Sequence, residues 1–123
     1  MLDALSRQDD PVMLDSSALH ETYGRHSIIA CCPSEVLSLN NGVLSDASGR
    51  ILAQNDNDAI WSVIDQALGA VIAQPLGRSS YAPGWIGYIG YEMGRRIERL
   101  PARAKRDTAL PDMRLAFYDS ILL

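Results

Sequence analysis

The stretch GWIGYIGYEMGRRIERLP, residues 84–101, constrains this chain more than any other. Four glycines stand in it at spacings of three, three and four, interleaved with aromatics and followed by paired arginines. A glycine run beside basic residues invites a phosphate cradle, but the spacing excludes one. Dinucleotide folds use G-x-G-x-x-G between a strand and a helix, so that backbone N–H groups can approach a pyrophosphate. Here the pattern is G-x-x-G-x-x-G-x-x-x-G, and no Gly-Lys-Ser/Thr completes a P-loop. Trp, Ile and Tyr suit a pleated, half-buried surface instead. With period two, Trp85, Gly87, Ile89 and Tyr91 share one face and Ile86, Tyr88 and Gly90 the other. Glycine inside a strand marks a bulge or a group approaching closely. From Glu92 the period changes: Met93, Ile97 and Leu100 fall on one stripe of a short helix, which Pro101 ends. Glu92 would then face Arg96 at i+4.

The rest of the chain alternates short strands with turn signals. Residues 1–10 are polar and expected to be flexible, and 11–123 form one domain. Val12–Leu14 after Pro11 reads as a first strand, and 15–25 as a polar connection. Ser27–Cys32 is a nearly continuous apolar run bounded by Pro33, the pattern of a buried strand. Val36–Leu39 leads into Asn40-Asn41-Gly42, whose residues tolerate the positive φ of a tight hairpin. Val43-Leu44 returns, Ser48-Gly49 turns the chain again, and Ile51–Ala53 follows. Asn55–Asp58 offers capping side chains, after which Ile60, Ile64, Leu68 and Val71 keep one helical stripe, predicted to stop near Gln74 before Pro75. A loop through Ser79-Ser80 leads to the glycine strand. A basic linker runs from Pro101 to Pro111, and Met113–Leu123 reads as one last strand. The fold class is α+β, antiparallel strands with one main helix. An ending on Ile-Leu-Leu, with no charged residue after it, is expected of the front part of a longer, truncated design.

Length and charge narrow the function. At 123 residues with 47% hydrophobic and 21% charged residues, the chain suits one soluble core. A net charge of −4 gives no reason to expect nucleic acid as partner, and no apolar run reaches the roughly twenty residues of a membrane helix. Six of the eleven Lys/Arg residues lie between Arg95 and Arg106, a pattern read first as a solvated face. Cys31 and Cys32 are neighbours, too close for an unstrained bridge, and point to reduced thiols in a cytoplasmic protein. The N-terminus lacks the basic and apolar regions of a signal peptide.

The residues alone form no catalytic constellation. His20 and His26 are six apart with no ligand partners at metal spacing. Ser16-Ser17 has no G-x-S-x-G elbow. Asp15, Glu21, Glu92 and Glu98 are acid/base candidates by type only.

Three stretches together carry a family likeness: Met13-Leu-Asp-Ser-Ser17, Tyr23-Gly-Arg-His-Ser-Ile-Ile-Ala30 and residues 84–101, completed by Leu110-Pro-Asp112 and Tyr118-Asp119. Their order resembles the N-terminal domain of component I of the chorismate-utilising synthases, on the para-aminobenzoate (aminodeoxychorismate synthase) branch. The sister branch, anthranilate synthase, serves tryptophan synthesis. The resemblance covers residues 11–123. It implies an enzyme that takes chorismate and ammonia to 4-amino-4-deoxychorismate for folate, with a glutamine amidotransferase subunit supplying ammonia. It also implies that chorismate and Mg²⁺ are held in a C-terminal domain beyond this chain, so the chain itself carries no catalytic residue, metal or cofactor. The family's N-terminal domain holds a tryptophan pocket, which falls by resemblance on Leu14, Ser16, Tyr23, Gly24, Arg25 and His26. One departure is Pro83-Gly84, where the family has a glycine pair. The alternatives are the N-terminal domain of an anthranilate synthase component I, a stand-alone amino-acid-binding module and an interaction scaffold. The glycine notches are expected to let the other domain's backbone pack closely on this strand.

Overall fold

The computed structural model describes residues 6–16, 26–71, 83–101 and 108–122. The strands are β1 (Val12–Leu14), β2 (Ile28–Ala30), β3 (Glu35–Asn40), β4 (Val43–Ser45), β5 (Ile51–Gln54), β6 (Gly84–Ile89), β7 (Met113–Tyr118) and β8 (Ile121–Leu122). Helix α1 covers Asn57–Gly69, and a 3-10 helix covers Tyr91–Arg96. The chain divides into two compact units, and the division falls within β6, after Ile86, and within β7, after Ala116.

The first unit contains a three-stranded sheet in the order β1-β2-β8. Both pairings are antiparallel, with Val12 opposite Ala30, Leu14 opposite Ile28, and Ala30 opposite Ile121. Ala30 and Tyr118 are buried here, and the Tyr118 hydroxyl donates to the Asp10 carbonyl at 2.9 Å. Trp85 is held by packing: its ring meets Phe117 edge-on at 5.5 Å, while its buried Nε1 has no hydrogen-bond partner among the described residues.

The second unit holds β3, β4, β5, α1 and the 3-10 helix. Its sheet has the order β5-β4-β3-β7-β6. The β3–β4 hairpin pairs Asn40 with Val43 across a two-residue turn. Both turn residues have positive φ, Asn41 at 48° and Gly42 at 84°, the type I′ geometry that matches strand twist. Between β4 and β5 the register shifts: Leu44 faces Ala53 but Ser45 faces Ile51, which leaves Leu52 as the extra residue of a bulge. Helix α1 begins where Asp56 accepts hydrogen bonds from the N–H groups of Asp58 and Ala59 at 3.0 and 3.1 Å. It packs on β5 and buries Ile60 and Ile64, which join Leu39, Leu44, Met93 and Met113 among the buried apolar residues of this unit.

Four expectations from the sequence are corrected. Helix α1 stops at Gly69 rather than near Gln74, because a glycine at that place has little to hold it helical, and Leu68 is left 44% exposed. The stripe Met93-Ile97-Leu100 does not form a helical face. The segment winds as a 3-10 helix with three residues per turn, so Met93 is buried while Ile97 is 76% exposed. For the same reason Glu92 pairs with Arg95 at i+3, 2.8 Å away, and not with Arg96. The last segment is two strands, not one: it breaks after Tyr118, and β8 pairs with β2 in the other sheet.

The glycine notches also have a different occupant. A Cβ on Gly87 would run into the Arg114 carbonyl oxygen and lie 2.9 Å from both Arg114 C and Leu115 Cα. One on Gly90 would lie 2.8 Å from the Asp112 carbonyl, which already accepts the Gly90 N–H at 2.7 Å. The backbone that approaches is that of β7 and the residue before it, within the same sheet.

Candidate functional site

Of the six residues expected to form a pocket, Leu14, Ser16 and His26 fall around the open end of the β1–β2 ladder. Tyr23, Gly24 and Arg25 lie outside the described residues. Leu14, Ser16 and His26 are brought together by antiparallel pairing, because Leu14 opposite Ile28 places Ser16 level with His26. Leu14 is 47% exposed, Ser16 is half-buried and His26 is exposed.

Side chains continue the ladder past its last backbone pair. The Ser16 hydroxyl donates to the His26 carbonyl at 2.7 Å. The Ser16 N–H donates to Ser27 Oγ at 3.1 Å, and the Ser27 hydroxyl donates in turn to Asp15 Oδ1 at 2.8 Å. Ser27 and Asp15 therefore belong to the cluster as much as Ser16 does. The sequence carried a signal for them only through register: once Leu14 faces Ile28, Asp15 must stand level with Ser27. The cluster is rich in acceptors, with one carboxylate, hydroxyl lone pairs and a carbonyl, and it has an exposed leucine beside it. Chemically this suits an ammonium group next to an apolar body. It holds no nucleophile–base pair.

Other candidates fit structural roles. Arg96, in the basic cluster, donates through Nη1 to Asn57 Oδ1 at 2.8 Å, and Asn57 Nδ2 donates back to the Arg96 carbonyl at 3.3 Å. These bonds tie the 3-10 helix to the start of α1. Arg103, Lys105 and Arg106 lie outside the described residues, as do His20 and Glu21. Asp58, Trp61, Ser62, Ile64, Asp65 and Leu68 line a depression of about 620 Å³ along α1, with two carboxylates and, among the described residues, no basic group in its lining. Among the described residues, no group of three or more His, Cys, Asp or Glu could hold a metal ion. Among those residues, too, no helix is long and apolar enough to cross a membrane.

Comparison with known proteins decides the lineage. No family model matches the chain. Over 120 residues, 97% of the chain, it is 31% identical to aminodeoxychorismate synthase component 1 of Klebsiella aerogenes. The chain is a component I homologue. It corresponds to an N-terminal domain of that lineage and spans about a quarter of the length of its aminodeoxychorismate synthase relatives, 25–27%. A shorter segment of 32 residues is 56% identical to anthranilate synthase component 1 of Mycobacterium tuberculosis, covering 26% of this chain and 6% of that protein. The crystal structure of anthranilate synthase component I from Streptococcus pneumoniae superposes with a TM-score of 0.60 at 26% identity, over 85% of this chain and 22% of the other. The α+β architecture of antiparallel sheets with one main helix is thus the fold of a component I domain. "Component 1" in these relatives' names denotes one part of an enzyme of more than one component.

Proposed function

We propose that this chain serves as the N-terminal domain of an aminodeoxychorismate synthase component I and takes tryptophan at the open end of the β1–β2 ladder. The observation that carries the first half is the 120-residue relationship to aminodeoxychorismate synthase component 1. In this reading the whole enzyme converts chorismate and ammonia to 4-amino-4-deoxychorismate, on the way to para-aminobenzoate and folate, in the cytoplasm. A glutamine amidotransferase component delivers the ammonia. Chorismate and Mg²⁺ are held by a C-terminal domain, in the part of the relatives that this chain does not span. No described cluster here fits Mg²⁺, so no chemical step is assigned to these residues.

The second half rests on the cluster's chemistry. Ser16 gives its proton to the His26 carbonyl, which leaves its lone pairs to accept from an α-ammonium group, and Asp15 supplies the negative charge beside it. Leu14 offers apolar surface to an indole. With the pocket's other wall assigned to the part of the relatives that this chain does not span, binding by the isolated chain is weak, at a Kd of about 1 mM or about 4 kcal/mol. Ser16→Ala removes one hydrogen bond of about 1 kcal/mol and raises Kd roughly fivefold. Titration calorimetry with tryptophan reads both. Micromolar binding that ignores Ser16→Ala would remove Ser16 from the site, and no heat at millimolar tryptophan would remove the site.

The 32-residue match to an anthranilate synthase favours the sister branch as the second reading. Because chemistry is assigned to the C-terminal domain, the branches are separated by which remainder the chain complements in trans, with chorismate, ammonia and Mg²⁺: activity restored to the remainder of an aminodeoxychorismate synthase supports the first, and to that of an anthranilate synthase alone the second. The chain alone should form neither product, and turnover by it would overturn the assignment of catalysis to another domain.

A further inference from the structure

We propose that Cys31 and Cys32 form a vicinal dithiol that chelates trivalent thiophilic centres, monosubstituted arsenicals being the simplest. The two residues follow the end of β2, with Cys31 half-buried and Cys32 exposed. Cys32 has φ 55°, the left-handed region, so the alternation that sends neighbouring strand side chains to opposite faces is broken here. The backbone is fixed within the pair and just after it. Cys32 N–H donates to the Asp9 carbonyl at 2.8 Å, Ser34 N–H donates to the Phe117 carbonyl at 2.9 Å, and Pro33 between them has its φ set by its ring. Cys32 Sγ reaches Gln8 Oε1 at 3.7 Å. Burial, then the hydrogen bond from Cys32 and the charge of its thiolate form, push the Cys31 thiol up.

Chain geometry decides what this pair can hold. Neighbouring Cα atoms stand about 3.8 Å apart, below the roughly 4.4–6.8 Å usual for a disulfide, so direct S–S closure is strained. Inserting one atom between the sulfurs enlarges the ring and relieves that strain. A structural zinc ion needs four protein ligands, and no third ligand stands near among the described residues. A centre of type R–As=O needs only two. Both S–H groups condense with it: two As–S bonds form, the As–O bond breaks, the two protons leave with the oxygen as water, and arsenic stays trivalent.

The chain has two cysteines in all, so a thiol count reads the stoichiometry directly. One equivalent of phenylarsine oxide added to the full chain should remove both thiols from reaction with Ellman's reagent. 2,3-Dimercaptopropanol should restore them, and the same concentration of 2-mercaptoethanol should not. Cys31→Ser and Cys32→Ser should each weaken binding by roughly a hundredfold, the loss expected when a second, tethered contact is removed. Peroxide under the same conditions should yield no intramolecular disulfide. Loss of one thiol per arsenical, equal binding by either serine variant, or ready closure of the pair by peroxide would overturn the proposal. The thiol count needs no variant, so a misfolded substitution cannot decide the outcome.

Discussion

Replacing Gly87 by alanine tests the reason for the glycine spacing. The new Cβ would meet the Arg114 carbonyl and stand 2.9 Å from Arg114 C and Leu115 Cα. All three atoms are backbone of β7, so no side chain can swing aside. Restoring ordinary contact with that carbonyl oxygen means moving β7 by more than about an ångström, which puts the cost at the upper end of overpacking data, about 3 kcal/mol. A ladder hydrogen bond weakened by that movement adds about 1 kcal/mol. Alanine regains about 0.5–1 kcal/mol through the lower entropy of the unfolded chain, so the net loss is about 3–3.5 kcal/mol. With a urea dependence of about 1.5 kcal/mol per M, the unfolding midpoint falls by about 2–2.3 M. Gly69→Ala is the control. A Cβ there meets nothing within 4 Å, and the position closes helix α1, so alanine should stabilise by up to about 1 kcal/mol. Urea unfolding followed by tryptophan fluorescence and by circular dichroism measures both variants. Equal midpoints for Gly87→Ala and wild type would mean that close approach of β7 is not why glycine stands there.

Other expectations follow from single contacts. Asp56→Ala removes the acceptor for two N–H groups at the start of α1 and should cost about 1 kcal/mol; Asp56→Asn should recover most of it, and a melting series on the two variants checks this. Asp46 is held below the usual carboxylate range by the Ser48 hydroxyl first, then by the Arg50 and Ser48 backbone N–H groups and the Arg50 side chain, against the opposing effect of burial. The unfolded chain therefore binds a proton at higher pH than the folded chain does. The stability this carboxylate contributes is complete above its unfolded value and is lost as pH falls through its lower, folded value. An NMR titration of Asp46 should show the depressed midpoint, and Ser48→Ala should raise it. An unmoved midpoint would remove the hydroxyl from the explanation.

Local physics made much of the fold legible. Asn41-Gly42 announced the hairpin because few residues accept positive φ twice in succession. Asp56 and the Ile60–Ile64 spacing announced the start and inner face of α1 because capping and periodicity act within one turn. Leu14, Ser16 and His26 entered the site through resemblance, and pairing of β1 with β2 brought them together. What the chain did not reveal depended on partners distant in sequence. The aromatic glycine run could be read as notched, but only the sheet order set β7 against β6 and so named the backbone that fills the notch. Met93, Ile97 and Leu100 fit a helical stripe on paper. In the fold, the 3-10 winding buries Met93 alone and turns Glu92 toward Arg95. The apolar run from Met113 gave no sign of its break, since both halves are equally strand-like. Pairing with β2 divides it, because a ladder is made between segments and neither segment encodes its partner by itself.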